Sequence, residues 1–288
     1  MCSKEIKRKE TTTRASSLSD RTVTPRPNKN LGQHYLNNKQ TIDAICNEFE
    51  SSYEGIIEIG PGPATLTKTL AKKKYPLVLI EKDTRFIEIL NSLDSDIKLI
   101  NKDALEVSEK EIFQFFPELK KWWLVSNLPY NVGTPIMLRF LKIKDIDYFT
   151  LMFQKEVAAK VCLEIYGDQK KGKEMNSLHC LVGSYFNISF VRHVPPGDFT
   201  PPPKVDSSVI SLTRKSTPDL PFDKWDNFEK FLRIVFGQRR KQLGTILKSK
   251  GLGNKLIEIF NKLKIDPKIR SERLTLSEVQ KLFLALEK

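Results

Sequence analysis

The tetrapeptide Asn127-Leu128-Pro129-Tyr130 combines groups that could hold a planar amine for a reaction. The Asn127 side-chain oxygen and the Leu128 carbonyl can accept the two N–H groups of one amine, and Pro129 restricts the turn that aims this carbonyl. Tyr130 offers a flat face on which a base can stack. Because a conjugated amine such as adenine N6 is a poor nucleophile, such contacts favour methyl transfer through positioning. The alternative interpretation is a structural loop with a core tyrosine.

A glycine-containing turn precedes this tetrapeptide and could approach a ligand closely. Gly60-Pro61-Gly62 follows an apolar run, and glycines there permit a tight turn with no Cβ in the way. A dinucleotide fingerprint would have a third glycine at position 65, where this chain has Thr65. Pro61 and Pro63 also lack the N–H donors that a pyrophosphate needs. The turn therefore favours a ligand without phosphates, although a plain structural turn remains the alternative.

Two acidic residues at successive predicted strand ends indicate what that ligand contains. Glu81 stands 21 residues after Gly60, where a carboxylate can accept hydrogen bonds from both ribose hydroxyls. Asp103 follows the next strand and could accept from an adenine amine. Together with Gly62 these residues predict an adenosine site. NAD and S-adenosylmethionine both contain adenosine, and the missing phosphate donors favour S-adenosylmethionine, which becomes S-adenosylhomocysteine on transfer.

These residues require a sheet whose strand ends meet at one edge. Apolar runs predict strands at residues 56–59, 77–80, 97–100, 122–125 and 148–153, separated by segments long enough for helices, of which 64–74 is one. Residues 188–194 and 208–212 are predicted to pair antiparallel at the sheet edge. From Trp225 onward, helical spacing predicts a small all-helical domain after a linker at 213–221. The predicted fold is α/β, a Rossmann-like methyltransferase domain with a mostly parallel sheet, plus the helical domain.

Three regions follow from this organisation. Residues 1–27 are predicted to be a disordered basic arm, 28–215 the S-adenosylmethionine-dependent domain, and 222–288 a helical RNA-binding domain. The net charge is +13, of which the first 30 residues contribute +5 and the remainder +8. A basic body predicts a polyanionic partner, nucleic acid before an anionic membrane surface, although a lysine-rich composition can also serve solubility alone.

Cysteine and histidine usage points away from metal chemistry. The four cysteines, of which Cys2 is the first, show no metal-ligand spacing and are expected to be reduced thiols, two or three of them buried. No secretory apolar region or transmembrane run is present in the sequence, so a cytoplasmic protein without a membrane partner is expected.

Several segments together resemble the ribosomal RNA adenine dimethylase family (KsgA-type) and its eukaryotic dimethyladenosine-transferase relatives. The resemblance runs from about Asn28 to the C-terminus. The segments that carry it are Leu31 to Leu36, Glu58 to Gly62, Asn127 to Tyr130, Phe153 to Val157, Phe199 to Ser207, and Gln238 to Lys241. The Phe199 to Ser207 segment favours this family over the related resistance enzymes that methylate large-subunit RNA.

The resemblance implies more than the spacing does. It implies dimethylation of N6 on two adjacent adenines in a 3′-terminal hairpin loop of 16S rRNA, within the 30S subunit or its precursor, by a monomer. It implies cofactor contacts from His34, Leu36 and Asn127, and a Phe199 ring that flanks the flipped adenine opposite Tyr130. The family usually has Asn-Phe where this chain has His34-Tyr35.

A cluster of basic residues in the helical region is the predicted RNA contact. Arg239, Arg240, Lys241 and Lys248 would bind phosphates and read RNA shape, whereas the target adenines would be splayed from a loop. A solvated helix face is the alternative for this cluster. Two alternatives also remain for the whole chain: an adenine methyltransferase acting on 23S rRNA or DNA, and a non-catalytic RNA-binding assembly factor. The intact set of site residues disfavours the latter.

Overall fold

The computed structural model describes residues 25–28, 31–50, 52–93, 96–166, 174–249, 251 and 253–287, without the side chains of 253–255. The arm predicted at 1–27 lies outside the described residues except for 25–27. These last residues contact the body of the protein, because the Tyr35 hydroxyl donates to the Pro25 carbonyl (3.3 Å) and Arg85 donates to the Arg26 carbonyl (3.0 Å).

The described ranges contain both strands and helices up to residue 214, about three quarters of the chain, and only helices thereafter. The strands are β1 (Tyr35–Leu36), β2 (Gly55–Ile59), β3 (Leu77–Glu81), β4 (Lys98–Asn101), β5 (Trp122–Asn127), β6 (Ile146–Gln154), β7 (Phe186–Val194), β8 (Phe199–Thr200) and β9 (Ser207–Arg214). The helices are α1 (Lys39–Cys46), α2 (Thr67–Leu70), α3 (Ile87–Asn91), α4 (Glu109–Phe113), α5 (Gly133–Phe140), α6 (Lys155–Val161), α7 (Ser177–Tyr185), α8 (Trp225–Phe236), α9 (Leu243–Lys248), α10 (Gly253–Leu263) and α11 (Leu276–Leu286).

The main sheet has the strand order β4-β3-β2-β5-β6-β9-β7. Strands β2 to β6 pair parallel, whereas β9 pairs antiparallel with both β6 and β7. The order of the first five strands is that of a doubly wound Rossmann sheet. The predicted mostly parallel sheet with an antiparallel edge is therefore confirmed. Because β9 runs opposite to its neighbours, its first residue lies at the edge where the parallel strands end.

Apolar residues on both faces of the strands build a core on each side of the sheet. Trp122 and Trp123 are consecutive on β5, so their side chains point to opposite faces and are both fully buried. Trp123 Nε1 donates to the Thr150 hydroxyl (3.0 Å), which satisfies a polar group in the core. Burial on both faces explains why these strands are continuous apolar runs.

The C-terminal helices pack on α7 through aromatic side chains. The Tyr185 and Trp225 rings are 4.7 Å apart, and the Phe228 and Phe283 rings are 4.9 Å apart. These residues belong to the same apolar cluster as one face of the sheet. The helical region therefore shares a core with the sheet rather than enclosing a separate one.

Two predicted boundaries differ from the structure. The helix predicted at 64–74 is interrupted, because Ala64 has a φ of 64° within a turn, α2 is short, and a 3₁₀ turn covers Ala71–Lys73. The linker predicted from Thr213 begins later, because β9 continues to Arg214. That guanidinium donates to the Ile143 carbonyl (2.7 Å) and lies over the Phe186 ring (4.8 Å), contacts that extend the strand.

The cysteine prediction is confirmed within the described residues: Cys46, Cys162 and Cys180 are free and buried, and Cys2 lies outside them. In the described part of the chain, no helix is long and apolar enough to cross a membrane.

Candidate active site

A cavity opens at the carboxyl edge of the parallel strands. Its lining comes from the β2–α2 turn, the ends of β3 and β4, the β5–α5 connection and the segment around β1. Of the predicted residues it includes His34, Leu36, Gly60, Gly62, Glu81, Asp103, Asn127, Leu128, Pro129 and Tyr130. The structure thus brings together in one cavity residues that the sequence spreads over about a hundred positions.

In the turn after β2, the N–H groups at positions 60 to 64 all donate within the protein. The Gly60 N–H donates to a β3 carbonyl (2.9 Å), the Gly62 N–H to the Glu81 carboxylate (2.9 Å), and the Ala64 N–H to the Pro61 carbonyl (3.0 Å). The two prolines of the turn have no N–H. Every position from 60 to 64 is described, and no N–H among them is left for a phosphate. Positive φ values of 67° and 51° at Gly60 and Gly62 explain the glycines.

Glu81 is the buried acid of this cavity and is 5% exposed. Its two carboxylate oxygens accept from the Gly62 N–H (2.9 Å) and the Asp83 N–H (2.8 Å). Burial raises its pKa, and these two hydrogen bonds oppose that rise. Because each carboxylate oxygen can accept more than one hydrogen bond, both retain a position for a ribose hydroxyl.

Asp103 lines the cavity beside Glu81. One carboxylate oxygen accepts from the Leu105 N–H (2.9 Å) and the other from Lys82 Nζ (2.7 Å). These contacts, the Lys82 hydrogen bond foremost, hold its pKa below the usual range. Asp103 is therefore an anion at the cavity wall that already accepts from Lys82.

Asn127 is oriented by its amide nitrogen. Its Nδ2 donates to the His34 carbonyl (3.1 Å), so its Oδ1 is left as an acceptor. The preceding Ser126 hydroxyl donates to the Ile59 carbonyl (2.7 Å) and ties the end of β5 to β2. Tyr130 follows on the β5–α5 connection, with its ring stacked on that of His34 at 5.5 Å and 26°.

The segment around β1 lies across the cavity and is fastened at both ends. Gln33 Nε2 donates to Asp83 (2.8 Å), whose pKa falls to about 2 chiefly through its hydrogen bond with Arg85. At the other end, β1 pairs with β8 and places Leu36 opposite Phe199. The spacing of motifs did not predict this closure, because β1 has only two residues.

Glu58 is a buried acid for which the sequence predicted no role of its own, because it appeared there only as the first residue of the segment Glu58 to Gly62. It lines the cavity, and burial raises its pKa to about 8, with a smaller contribution from the nearby Glu81 charge. The Thr67 hydroxyl lies close enough to lower this pKa somewhat. Even so, neither Glu58 Oε2 nor that hydroxyl has hydrogen-bond geometry with any partner in the described chain. The sequence feature that could have identified Glu58 is an acidic residue within an otherwise apolar strand.

The remaining predicted residues lie elsewhere. Phe199 is 3% exposed, packs in the apolar cluster with Leu36, and lies outside the cavity lining that the described residues form. Stacking on a base would require its ring to become exposed. Arg240, Lys241 and Lys248 are exposed. Arg240 and Lys241 lie on the turn between α8 and α9, whereas Lys248 is the last residue of α9. Arg239 on the same turn pairs with Glu174 (3.4 Å).

The hydrogen-bonding groups of the site distinguish between NAD and S-adenosylmethionine as the adenosine cofactor. Glu81 keeps acceptor positions for a ribose, and positions 60 to 64 of the turn beside it leave no N–H for a pyrophosphate. Among the described residues, no group of three or more His, Cys, Asp or Glu side chains could hold a metal ion. These hydrogen-bonding groups fit S-adenosylmethionine, which has a ribose and no phosphate. The fold and the site together define a Rossmann-like methyltransferase.

Comparisons with known proteins identify the family. The model of the family described as ribosomal RNA adenine dimethylase matches residues 25–288. The ribosomal RNA small subunit methyltransferase A of Clostridium botulinum (strain Okra / Type B1) is 40% identical over 261 residues, which cover 88% of this chain and 92% of that protein. This chain belongs to the ribosomal RNA adenine dimethylase family, and its cofactor is S-adenosylmethionine.

Solved structures agree on the fold. A dimethyladenosine transferase from Plasmodium falciparum has a TM-score of 0.65 and 26% identity, covering 88% of this chain and 98% of that one. The 23S rRNA methyltransferase ErmE has a TM-score of 0.67 and 22% identity, covering 88% and 100%. The latter likeness concerns the fold alone.

Proposed function

We propose that the chain methylates N6 of two adjacent adenines in a 3′-terminal hairpin loop of 16S rRNA, in the 30S subunit or its precursor, giving N6,N6-dimethyladenosine. The observation that carries this proposal is the shared cavity. Asn127 and Tyr130, suited to an amine on a flat base, line the same space as Glu81 and Asp103, suited to adenosine. A methyl donor and a target base can therefore meet there.

The chain's own residues act by holding the base. Asn127 Oδ1 and the Leu128 carbonyl would accept the two N–H groups of the adenine amine, which localises its lone pair toward the donor. When bound, S-adenosylmethionine supplies a methyl group activated by its sulfonium, and the amine proton can leave to water after transfer. Positioning by preorganised groups is therefore expected to supply most of the rate.

The proposed RNA substrate is supported by exposed basic residues and by the names of related proteins. The relatives named small subunit methyltransferase A favour 16S rRNA, whereas the fold alone is shared with a 23S rRNA enzyme. Exposed Arg240, Lys241 and Lys248 support phosphate contacts by the helical region at 222–288. We further propose that the enzyme works as a monomer in the cytoplasm, where ribosomal subunits are assembled.

The test is transfer of labelled methyl groups to under-methylated 30S particles, with 23S rRNA and duplex DNA as competing substrates. We expect dimethyladenosine in the 16S 3′ hairpin and little label elsewhere. Asn127→Ala is the matched inactive variant. Robust transfer to 23S rRNA or DNA, with none to 30S particles, would overturn the proposed substrate. No transfer to any of them by a folded, cofactor-binding chain would favour a non-catalytic assembly factor.

A further inference from the structure

The Tyr130 hydroxyl has a partner far away in the sequence. It lies 2.6 Å from the Ser207 hydroxyl, although the two residues are 77 positions apart. The Ser207 side chain is fully buried. Burial raises the pKa of Tyr130, so its phenol stays protonated at neutral pH and can donate this hydrogen bond. A short hydrogen bond to a fully buried partner restricts both groups.

Ser207 is held more firmly than a loop residue could be. It begins β9, the strand between β6 and β7, and is paired with Gln154 on one side and Val194 on the other. The carbonyl of Asp206, just before it, accepts from the Lys155 N–H (2.9 Å). Because β9 is antiparallel to β6, this first residue lies at the edge that carries the active site.

Tyr130, in contrast, lies on a connection where its ring could rotate. One constraint on that ring is its stacking on His34, whose Nδ1 lies 2.8 Å from the Pro201 carbonyl. The other is the Ser207 hydroxyl at the far end of the ring. Fixing the far end of a side chain limits its χ angles more than contacts near the backbone do.

We propose that Ser207 is a positioning residue for methyl transfer: its hydroxyl holds the Tyr130 ring at the angle at which the target adenine stacks in line with Asn127. This inference rests on the proposed function. Ser207 touches neither base nor cofactor in this scheme and acts only through Tyr130. Its loss should therefore lower turnover while cofactor binding is unchanged.

The experiment compares kcat and KM on 30S particles for the full-length chain. Ser207→Ala should lower kcat about tenfold, since small misplacements of a reacting group cost one to two orders of magnitude. The KM for S-adenosylmethionine should stay within about twofold of wild type, because the cofactor contacts are intact. Ser207→Thr keeps a hydroxyl and should restore most of the rate. Ser211→Ala is the matched control, since it removes a buried hydroxyl from the same face of β9.

A double-mutant cycle separates positioning from general destabilisation. Tyr130→Phe keeps the stacking ring but loses the hydroxyl, so it should cost as much as Ser207→Ala, and the double variant should cost no more. Thermal melting identifies variants that fail to fold, and if Ser207→Ala is one of them, Tyr130→Phe, which removes the same hydrogen bond from its other end, carries the test. Two outcomes overturn the role of Ser207. One is an active wild type whose kcat exceeds that of Ser207→Ala by no more than about twofold. The other is a double variant whose loss in kcat equals the product of the two single losses. An inactive wild type overturns the proposed function, and this inference with it.

Discussion

The cavity at the strand ends and the basic turn between α8 and α9 differ in how their side chains are held. In the cavity, Glu81 is buried and both of its oxygens accept backbone hydrogen bonds, and the Asn127 amide is oriented by a carbonyl. On the turn, Arg240 and Lys241 are exposed, and the structure records no ion pair for either within its described residues. Long charged side chains in water keep most of their rotamer freedom.

This difference separates two kinds of recognition. A buried group with satisfied partners presents one geometry, as a reaction at a single atom requires. Exposed cations offer an attraction that falls with salt and depends weakly on exact placement. We therefore expect single substitutions in the cavity to have large effects on rate or cofactor affinity, and those on the turn to have small, salt-dependent effects on substrate binding.

The largest effect should come from Asn127→Ala. Removing one preorganised polar group at a reacting centre costs about 10²- to 10³-fold in kcat. Because the His34 carbonyl is the one acceptor recorded for its amide within the described residues, the fold should tolerate the change. Single-turnover methyl transfer measures the loss, and calorimetry measures cofactor affinity as the control. A variant with near-normal turnover would show that the amine is not held by this side chain.

Glu81→Ala should weaken cofactor binding about 10- to 100-fold, since hydrogen bonds to a charged group contribute about 1.5 to 3 kcal/mol. The sequence alone predicts an effect on the cofactor with little effect on the fold. The structure adds a stability cost, because the Gly62 and Asp83 N–H groups lose their acceptor. Isothermal calorimetry and urea unfolding report the two effects separately. Glu81→Gln keeps one acceptor oxygen, so its cofactor affinity should fall between those of wild type and Glu81→Ala. Equal cofactor affinities of wild type and Glu81→Ala would contradict the ribose role.

The Glu58→Gln variant tests whether the buried Glu58 carboxyl is protonated in the fold, through the pH dependence of stability. The folded-state pKa of Glu58 is raised to about 8, so the fold retains this proton while the unfolded chain loses it near pH 4.3. Its contribution to stability is therefore complete below about pH 4.3 and is lost as pH rises toward 8, by at most about 1.4 kcal/mol per pH unit. Urea unfolding at several pH values should show wild type losing stability relative to Glu58→Gln across that window. Parallel curves would show that Glu58 is charged in the fold.

The smallest effects belong to the basic turn. Arg240→Ala and Lys241→Ala should each weaken binding to 30S particles several-fold and reduce the salt slope by about one for each phosphate that is no longer neutralised. Arg239→Ala should do less, because Arg239 already pairs with Glu174. Titrations at several salt concentrations measure the slopes, with exposed Lys281→Ala on α11 as the control. An effect of Arg239→Ala larger than that of Arg240→Ala would reverse this ranking.

Most of the fold could be predicted from the sequence, because buried parallel strands must be apolar on both faces. Runs such as 122–125 and 77–80 lie within the observed strands β5 and β3. The short elements could not be predicted in this way. β1 and β8 have only two residues each and exist because they pair with each other. The interruption of the helix at 64–74 likewise depends on a turn whose N–H groups are used elsewhere.

The site residues divide in the same way. Glu81 could be found because strand length and helix length set its distance from Gly60 along the chain. Ser207 could not, since its hydrogen bond with Tyr130 depends on β9 running antiparallel beside β6. Phe199 is the reverse case: the family resemblance assigns it to the base, whereas in the structure its ring packs in the core.

The sequence by itself determined the strands of the main sheet, the kind of cofactor and the family, because periodicity, missing N–H donors and motif spacing are properties of the chain. Only the tertiary structure decided how the Asn127 amide is oriented, what holds Tyr130, and that Glu58 is buried as an acid. Those properties depend on partners from distant segments, and their free energies come from burial and from directional hydrogen bonds that exist only once the sheet has assembled.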